Sequence, residues 1–171
     1  MQQSIVATLS LTEIFDNLTS NQLELVAAIC DSATYKKGDV LLRENESTDE
    51  LYIIGRGGVE ILMSPGFVGS EKEDLDLEPV VLTELRQGQV FGEVALVDQG
   101  IRSATVRVSQ DNTHLLSIQR ERLMLLCNTY PDLGYKLMKN LAADLAFKIR
   151  NTDLTVRQYQ LMLSHSKKAT S

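Results

Sequence analysis

The sequence predicts an α+β fold in which an antiparallel β-sandwich or barrel lies between helical segments. From about Tyr35 to Gln119, short apolar segments alternate with Gly and polar turns, a spacing typical of antiparallel sandwiches and barrels. Helical periodicity is found on both sides of this region, over residues 20–30 and from Arg120 onward. The chain has 171 residues, of which 43% are apolar, so it can bury a core without disulfides or a structural metal.

The first predicted element is a helix over residues 20–30. A Ser/Asn pair provides the start signal, and apolar residues then recur at helical spacing (Leu23, Val26, Ala27 and Cys30). The N-terminus has no basic segment of the kind that begins a signal peptide, and no apolar run is long enough for a membrane span. Cys30 and Cys127 lie far apart in apolar segments, which predicts reduced core residues of a cytoplasmic protein.

Six candidate strands follow, covering residues 40–44, 50–55, 59–64, 79–85, 103–109 and 114–119. Gly57 and Gly58 separate two of them and predict a two-residue hairpin. Residues 64–79 form an acidic loop that contains Gly and Pro. We interpret this loop as a solvated hairpin extension and not as a cation site, because it lacks the spacing of an EF-hand.

Two helices complete the predicted fold. The first covers residues 120–128 and is broken between Tyr130 and Pro131, and the second begins at about Pro131. The second carries an apolar stripe (Leu133, Leu137, Leu141, Leu145, Ile149, Val156 and Leu163). Up to residue 149 the stripe fits packing on the chain's own barrel and a dimer interface equally well. Over residues 150–163 a dimer interface is favoured, because the helix outruns so small a barrel.

The composition argues against several classes of function. The net charge of −6 is unfavourable for sequence-independent binding to nucleic acid. His114 and His165 are the only histidines, and the motifs of zinc hydrolases and P-loop enzymes are absent. A metal-dependent enzyme on a barrel would need a ligand set that two isolated histidines do not supply. We therefore expect a protein that is not an enzyme.

The segment most informative about chemistry is FGEVALVDQGIRSAT at residues 91–105. It combines a Gly, a short helical piece and a return loop with an arginine. Amides at a helix start, together with the planar fork of Arg102, suit a phosphate. Glu93 is unsuited to an anion and suits a hydroxyl donor, so the segment fits a nucleotide sugar-phosphate. An internal ion pair between Glu93 and Arg102 that stabilises the loop is an equally weighted alternative.

The same segment resembles the phosphate-binding cassette of cyclic nucleotide-binding domains. Glu93 and Arg102 are nine residues apart, as in the regulatory subunits of cyclic-AMP-dependent protein kinase. The resemblance covers about residues 12–150 and includes KGDV at 37–40, DELYII at 49–54, GVEI at 58–61 and LRQGQVFGE at 85–93. Asn45 stands where the family often has a glycine, and Asn tolerates left-handed backbone geometry.

The resemblance implies a role for each matching residue. Gly92 permits close backbone approach, and Glu93 accepts a hydrogen bond from the ribose 2′-hydroxyl. The amides near Val94 and Ala95 face the cyclic phosphate, Arg102 binds its exocyclic oxygens, and Ser103 adds a hydroxyl donor. Residues that line the base in the bacterial catabolite activator protein fall at Ile61, Leu82 and Thr83, although Ile61 and Leu82 fit a plain core role equally well.

The resemblance also implies a jelly-roll-like antiparallel β-roll with an N-terminal helix and C-terminal hinge and lid helices. The implied domain covers residues 12–150, and residues 151–171 form a helical extension or tail. The implied function is that of a sensor for cyclic AMP, or for cyclic GMP, that signals through lid-helix movement to an unknown protein effector or within a homodimer. After the cassette arginine, Thr is associated with cyclic GMP and Ala with cyclic AMP, and Ser103 resembles the catabolite activator and favours cyclic AMP.

The sequence sets one further expectation and leaves two alternative functions. Relatives of the catabolite activator type continue into a DNA-binding domain. The residues after 150 leave no room for one, so no direct DNA binding is expected. Two alternative functions stay open: an interaction or scaffold protein that keeps the fold and binds no nucleotide, and a sensor of another small effector.

Overall fold

The computed structural model describes residues 2–63, 79–98 and 100–169, with side chains described as far as Met162. Helix α1 (Gln2–Leu9), a 3₁₀ turn (Glu13–Phe15) and α2 (Ser20–Ala27) come first. The strands and the short helix among them are β1 (Asp31–Tyr35), β2 (Val40–Leu42), β3 (Glu50–Arg56), β4 (Gly58–Met63), β5 (Val80–Arg86), β6 (Val90–Phe91), α3 (Glu93–Asp98), β7 (Thr105–Val108) and β8 (Thr113–Gln119). Helices α4 (Arg120–Thr129) and α5 (Pro131–Ala169) end the chain.

The strands form two four-stranded sheets, in the orders β1-β8-β3-β6 and β2-β7-β4-β5, and all pairings are antiparallel. The predicted β-roll between helical ends is confirmed, and the candidate strands correspond to six of the observed ones. The strands predicted from the sequence did not include β1 and β6. The side chains of β1 are mostly exposed and show no apolar alternation, and β6 is only two residues long.

The predicted hairpin at Gly57 and Gly58 is wrong. Strands β3 and β4 do not pair with each other, because β3 pairs with β6 and β8 whereas β4 pairs with β5 and β7. Gly57 has φ +85°, and a Cβ there would lie 2.9 Å from Cα of Thr113. The glycine therefore serves a tight corner at which the chain passes from one sheet to the other.

Two apolar clusters hold the roll together. The larger one joins the helices to the first sheet and includes Leu9, Phe15, Leu116 and Leu133. The smaller one lies between the sheets. Helix α1 precedes residue 12, where the family resemblance begins, and contributes buried Ile5 to the larger cluster.

Both cysteines are free thiols that pack against the larger cluster, as predicted. Burial, with a smaller contribution from Asp31, raises the pKa of the Cys30 thiol to about 12. Burial also raises the pKa of Cys127. Both thiols are therefore protonated near neutral pH, which suits a structural role.

Helix α5 extends from the core into a long projection. Leu133, Leu137 and Leu141 are buried against the chain's own core, whereas Ile149 is 62% exposed and Val156 is 49% exposed. Packing on the chain's own roll therefore accounts for the first part of the apolar stripe and ends before Ile149. The side chain of Leu163 and the acidic loop over 64–78 lie outside the described residues. No helix among those described has the length and apolar character needed to cross a membrane.

Candidate ligand site

A cleft of about 870 Å³ lies between the second sheet, the segment 92–104 and helix α5. All nine residues that the resemblance assigns to ligand binding line this cleft: Ile61, Leu82, Thr83, Gly92, Glu93, Val94, Ala95, Arg102 and Ser103. The structure thus brings together residues that are up to 42 positions apart in the sequence. Their roles toward a ligand stay predictions.

Gly92 provides the sharp turn that opens α3. Its φ is +83°, and a Cβ there would lie 2.6 Å from the carbonyl oxygen of Glu50 and 2.8 Å from Nη1 of Arg102. The backbone of β3 and the guanidinium of Arg102 therefore occupy the space that a side chain would need. The amides of Val94 and Ala95 follow in the first turn of α3, where N–H groups have no partner within their own helix.

Arg102 is held in place at both its backbone and its side chain. Asn45 donates its amide to the Arg102 carbonyl, and the Arg102 amide donates to the carbonyl of Glu46, both at 2.9 Å. Asn45 adopts φ +68°, the left-handed geometry expected of it. This tight turn fixes where the return loop places its arginine.

The Arg102 guanidinium is 3% exposed and makes three hydrogen bonds to the residues that the structure describes. Nε donates to Oγ1 of Thr48 at 2.7 Å, Nη1 to the carbonyl of Gly92 at 3.1 Å, and Nη2 to the carbonyl of Glu50 at 3.0 Å. Burial lowers the pKa of Arg102, and the nearby Glu50 carboxylate, 3.6 Å from Nη2, opposes that shift. The group remains a buried cation.

Glu93 is also buried, with 6% of its surface exposed, and its partner is a lysine of α5. Lys148 Nζ lies 3.0 Å from Oε1 of Glu93. The alternative in which Glu93 and Arg102 form an internal ion pair is therefore wrong, because Glu93 pairs with Lys148 and Arg102 pairs with Glu50. The two charged groups are held separately on the wall of one cleft.

The second sheet supplies the apolar wall of the cleft. Ile61 on β4 is half-buried and packs against the smaller cluster, whereas Leu82 on β5 is 52% exposed and is no core residue. The pairing of β4 with β5 shifts register between Ile61, opposite Thr83, and Leu62, opposite Val81. Leu82 is thus the extra residue of a β-bulge, which explains how two successive side chains, Leu82 and Thr83, line the same cleft.

The resemblance implies a lid helix after the roll, but the α5 residues that line the cleft were not among the predicted site residues. Phe147, Lys148, Asn151, Thr152, Thr155, Val156 and Tyr159 all line it. The spacing of these residues places them on one helical face, and that periodicity was a usable signal. The apolar stripe of α5 assigns its leucines to packing and gives no role to the polar positions that line the cleft.

Known proteins resemble this chain in sequence and in fold. Cyclic GMP-binding protein C of Dictyostelium discoideum is 32% identical over 150 residues, which is 85% of this chain and 5% of that protein. The cyclic AMP receptor protein of Thermus thermophilus is 28% identical over 141 residues, 82% of this chain and 59% of that protein. The chain thus spans only part of these curated relatives. A crystal structure of a cyclic nucleotide-binding domain from Methylobacillus flagellatus superposes with a TM-score of 0.73 at 20% identity, covering 88% of this chain and 79% of that one.

The family model of the cyclic nucleotide-binding domain matches residues 33–130, which include both sheets apart from the first two residues of β1 and also include the segment that carries Glu93 and Arg102. This match covers more than half of the chain and agrees with the fold. The chain belongs to the cyclic nucleotide-binding domain family.

Proposed function

We propose that this protein is a cytoplasmic sensor that binds a cyclic nucleotide reversibly, cyclic AMP being favoured and cyclic GMP the alternative ligand, and does no chemistry on it. The observation that carries the proposal is that a buried cation, Arg102, and a buried carboxylate, Glu93, line the same cleft. A cyclic nucleotide needs both groups, one for its phosphate and one for its ribose hydroxyl. Ser103 favours cyclic AMP by its resemblance to the catabolite activator.

The donors of Arg102 suit a phosphate that arrives in the cleft. A guanidinium has five N–H groups, and three are used by Thr48, Gly92 and Glu50. Among the described residues this leaves one N–H without a hydrogen bond on each terminal nitrogen, although the Glu50 carboxylate lies 3.6 Å from Nη2. Two such donors suit bidentate binding of a phosphate. The chain therefore holds the arginine rigidly and keeps two donors for the ligand.

The proposed signal travels through the helices that follow the roll. Arg120 at the start of α4 donates to the carbonyl of Leu96 in α3 at 2.9 Å. The segment 91–105 is therefore in contact with α4, the proposed hinge helix. Ligand capture orders residues 92–103, and α4 and α5 settle over the base. The ligand thereby biases a two-state element, and the output passes to a protein effector or to a second copy of the chain.

Cyclic AMP is expected to stabilise the protein against heat. At a hundredfold excess over the dissociation constant, the gain in unfolding free energy is about 2.7 kcal/mol, which is roughly 5–10 °C in melting temperature for a chain of this size. A thermal-shift series with cyclic AMP, cyclic GMP and AMP measures this, and AMP is the control because it lacks the cyclic phosphate. If neither cyclic nucleotide shifts the transition at millimolar concentration, the proposal fails and an interaction or scaffold role is favoured.

The projecting part of α5 is proposed to pair with a second copy of the chain. Ile149, Val156 and Leu163 recur at seven-residue steps, the repeat of a self-pairing helix seam. Ile149 and Val156 are exposed in the monomer, as is Tyr159 at 64%. A parallel two-fold pairing would cover this strip and place the two clefts on either side of the seam. Val156 and Tyr159 also line the cleft, so the seam would border it.

The change Ile149→Glu is expected to convert a homodimer into a monomer, because it places a charge in the apolar seam. Multi-angle light scattering at micromolar concentration measures the mass. The matched control is Leu125→Glu on α4, where the leucine is 66% exposed but lies off the strip. A wild-type chain that is monomeric, or an Ile149→Glu variant that stays dimeric, would contradict the pairing.

A further inference from the structure

Lys148 is the point at which helix α5 contacts the candidate ligand site by hydrogen bonds. Its ammonium donates to the carbonyl of Val90 at 3.1 Å and to Oε1 of Glu93 at 3.0 Å. It also lies 2.9 Å from Oδ2 of Asp144, one turn earlier in the same helix. Three elements, β6, α3 and α5, therefore meet at one charged group.

The position of Lys148 along α5 gives this contact its importance. The helix is anchored up to Leu141 by buried leucines, whereas Phe147 is 59% exposed and Ile149 is 62% exposed. Between residues 146 and 160, the described hydrogen bonds to another element come from Lys148, because Thr152 and Thr155 bond only to carbonyls of their own helix. Docking of this part of α5 on the roll therefore depends strongly on one ammonium.

The carboxylates around Lys148 explain why it stays in place. Glu93 is 6% exposed, and a buried carboxylate is costly unless a cation or hydrogen-bond donors compensate it. Oδ2 of Asp144 is buried and accepts no hydrogen bond from the described residues, so its ion pair with Lys148 compensates its charge. Removing the ammonium would take from both carboxylates the one cation that pairs with them among the described residues.

Lys148 and a ligand hydroxyl do not compete for Glu93. Lys148 uses Oε1, and a carboxylate accepts on two oxygens with about four lone-pair sites in total. A hydroxyl at Oε2 would leave the lysine contact intact. The Lys148 ammonium and the ligand hydroxyl would together hold the Glu93 carboxylate in one orientation, so each would favour binding of the other.

We propose that Lys148 is a positioning residue that couples the ligand's ribose hydroxyl, through Glu93, to the docking of α5 over residues 146–160. The lysine orients the carboxylate for the hydroxyl, and the occupied carboxylate in turn retains the lysine and its helix. Such coupling is reciprocal. The inference rests on the proposed function, since it requires a ligand with a hydroxyl at Glu93.

The test compares Lys148→Met with Lys148→Arg and with a matched control, Lys139→Met, which removes an exposed lysine of the same helix. Affinity is measured for cyclic AMP and for its 2′-deoxy analogue, and hydrogen exchange is followed over residues 146–160 with and without cyclic AMP. In Lys148→Met we expect cyclic AMP to bind about five- to tenfold more weakly. The 2′-deoxy analogue should be affected much less, so that discrimination between the two collapses.

The exchange data give the second readout. In the wild-type chain and in Lys139→Met, cyclic AMP should slow exchange over residues 146–160, whereas in Lys148→Met this protection should be lost even at saturating ligand. Lys148→Arg should restore part of both effects. If Lys148→Met weakens both nucleotides equally, or if ligand still protects α5, the coupling is refuted although the protein is a sensor. If the wild-type chain binds neither nucleotide, the proposed function fails first and the coupling fails with it.

Discussion

Replacing Arg102 by Ala is expected to reduce cyclic AMP affinity by at least about a hundredfold. Charge-assisted hydrogen bonds contribute about 1.5–3 kcal/mol each, and the arginine has two N–H groups left for the phosphate. The same change removes one hydrogen-bond donor from each of the carbonyls of Gly92 and Glu50 and removes the cation beside the Glu50 carboxylate. Titration calorimetry with cyclic AMP, together with urea unfolding, separates the loss of binding from the loss of stability.

Three variants make this result interpretable. Arg102→Lys keeps the charge but loses the fork, so it should recover folding better than binding. Arg107→Ala is the matched control, because that arginine pairs with Glu60 at 2.8 Å and does not line the cleft. Glu93→Gln should weaken cyclic AMP less than Arg102→Ala does and should reduce discrimination against the 2′-deoxy analogue. If Arg102→Ala and Glu93→Gln both bind like the parent, the roles assigned to these residues are wrong.

Replacing Gly92 by Ala is expected to damage both folding and binding. The glycine has φ +83°, a conformation that costs a side-chain-bearing residue about 1–3 kcal/mol. Its added Cβ would lie 2.6 Å from the Glu50 carbonyl oxygen and 2.8 Å from Nη1 of Arg102. Relief of these contacts has to move either the β3 backbone or the guanidinium. We expect a loss of several kcal/mol in unfolding free energy, by this strain and overpacking, and a cyclic AMP affinity lowered more than about tenfold.

Gly38→Ala is the control that isolates backbone strain from steric overlap. Gly38 has φ +94°, but a Cβ there would have no neighbour within 4 Å. The loss of unfolding free energy in Gly38→Ala, measured in urea, should therefore be limited to the strain of the backbone conformation. The affinity of this variant for cyclic AMP should be unchanged. Equal losses of stability and affinity in the two variants would refute the close packing of Arg102 against Gly92.

The sequence determined the features that depend on short stretches of chain. Gly92, Glu93 and Arg102 lie within eleven residues, and the chemistry of these residue types predicts either a sugar-phosphate site or an internal ion pair. The apolar periodicity of α5 and the break before Pro131 are equally local, and both are observed. The left-handed geometry of Asn45 is also a local preference, since it follows from the residue type.

Only the tertiary structure decided which residues are partners over long separations. The sequence does not indicate which cation pairs with Glu93. Lys148, 55 positions later, is the cation that α5 brings to it. Glu50 reaches Arg102 across 52 positions, and Gly57 proved to be a corner between sheets because β3 and β4 pair elsewhere. The physical reason is that periodicity and turn preference are short-range properties of the chain. The pairing of strands and of buried charges is set instead by how helices and sheets pack into one core, where each buried charge takes the opposite charge that packing brings within reach.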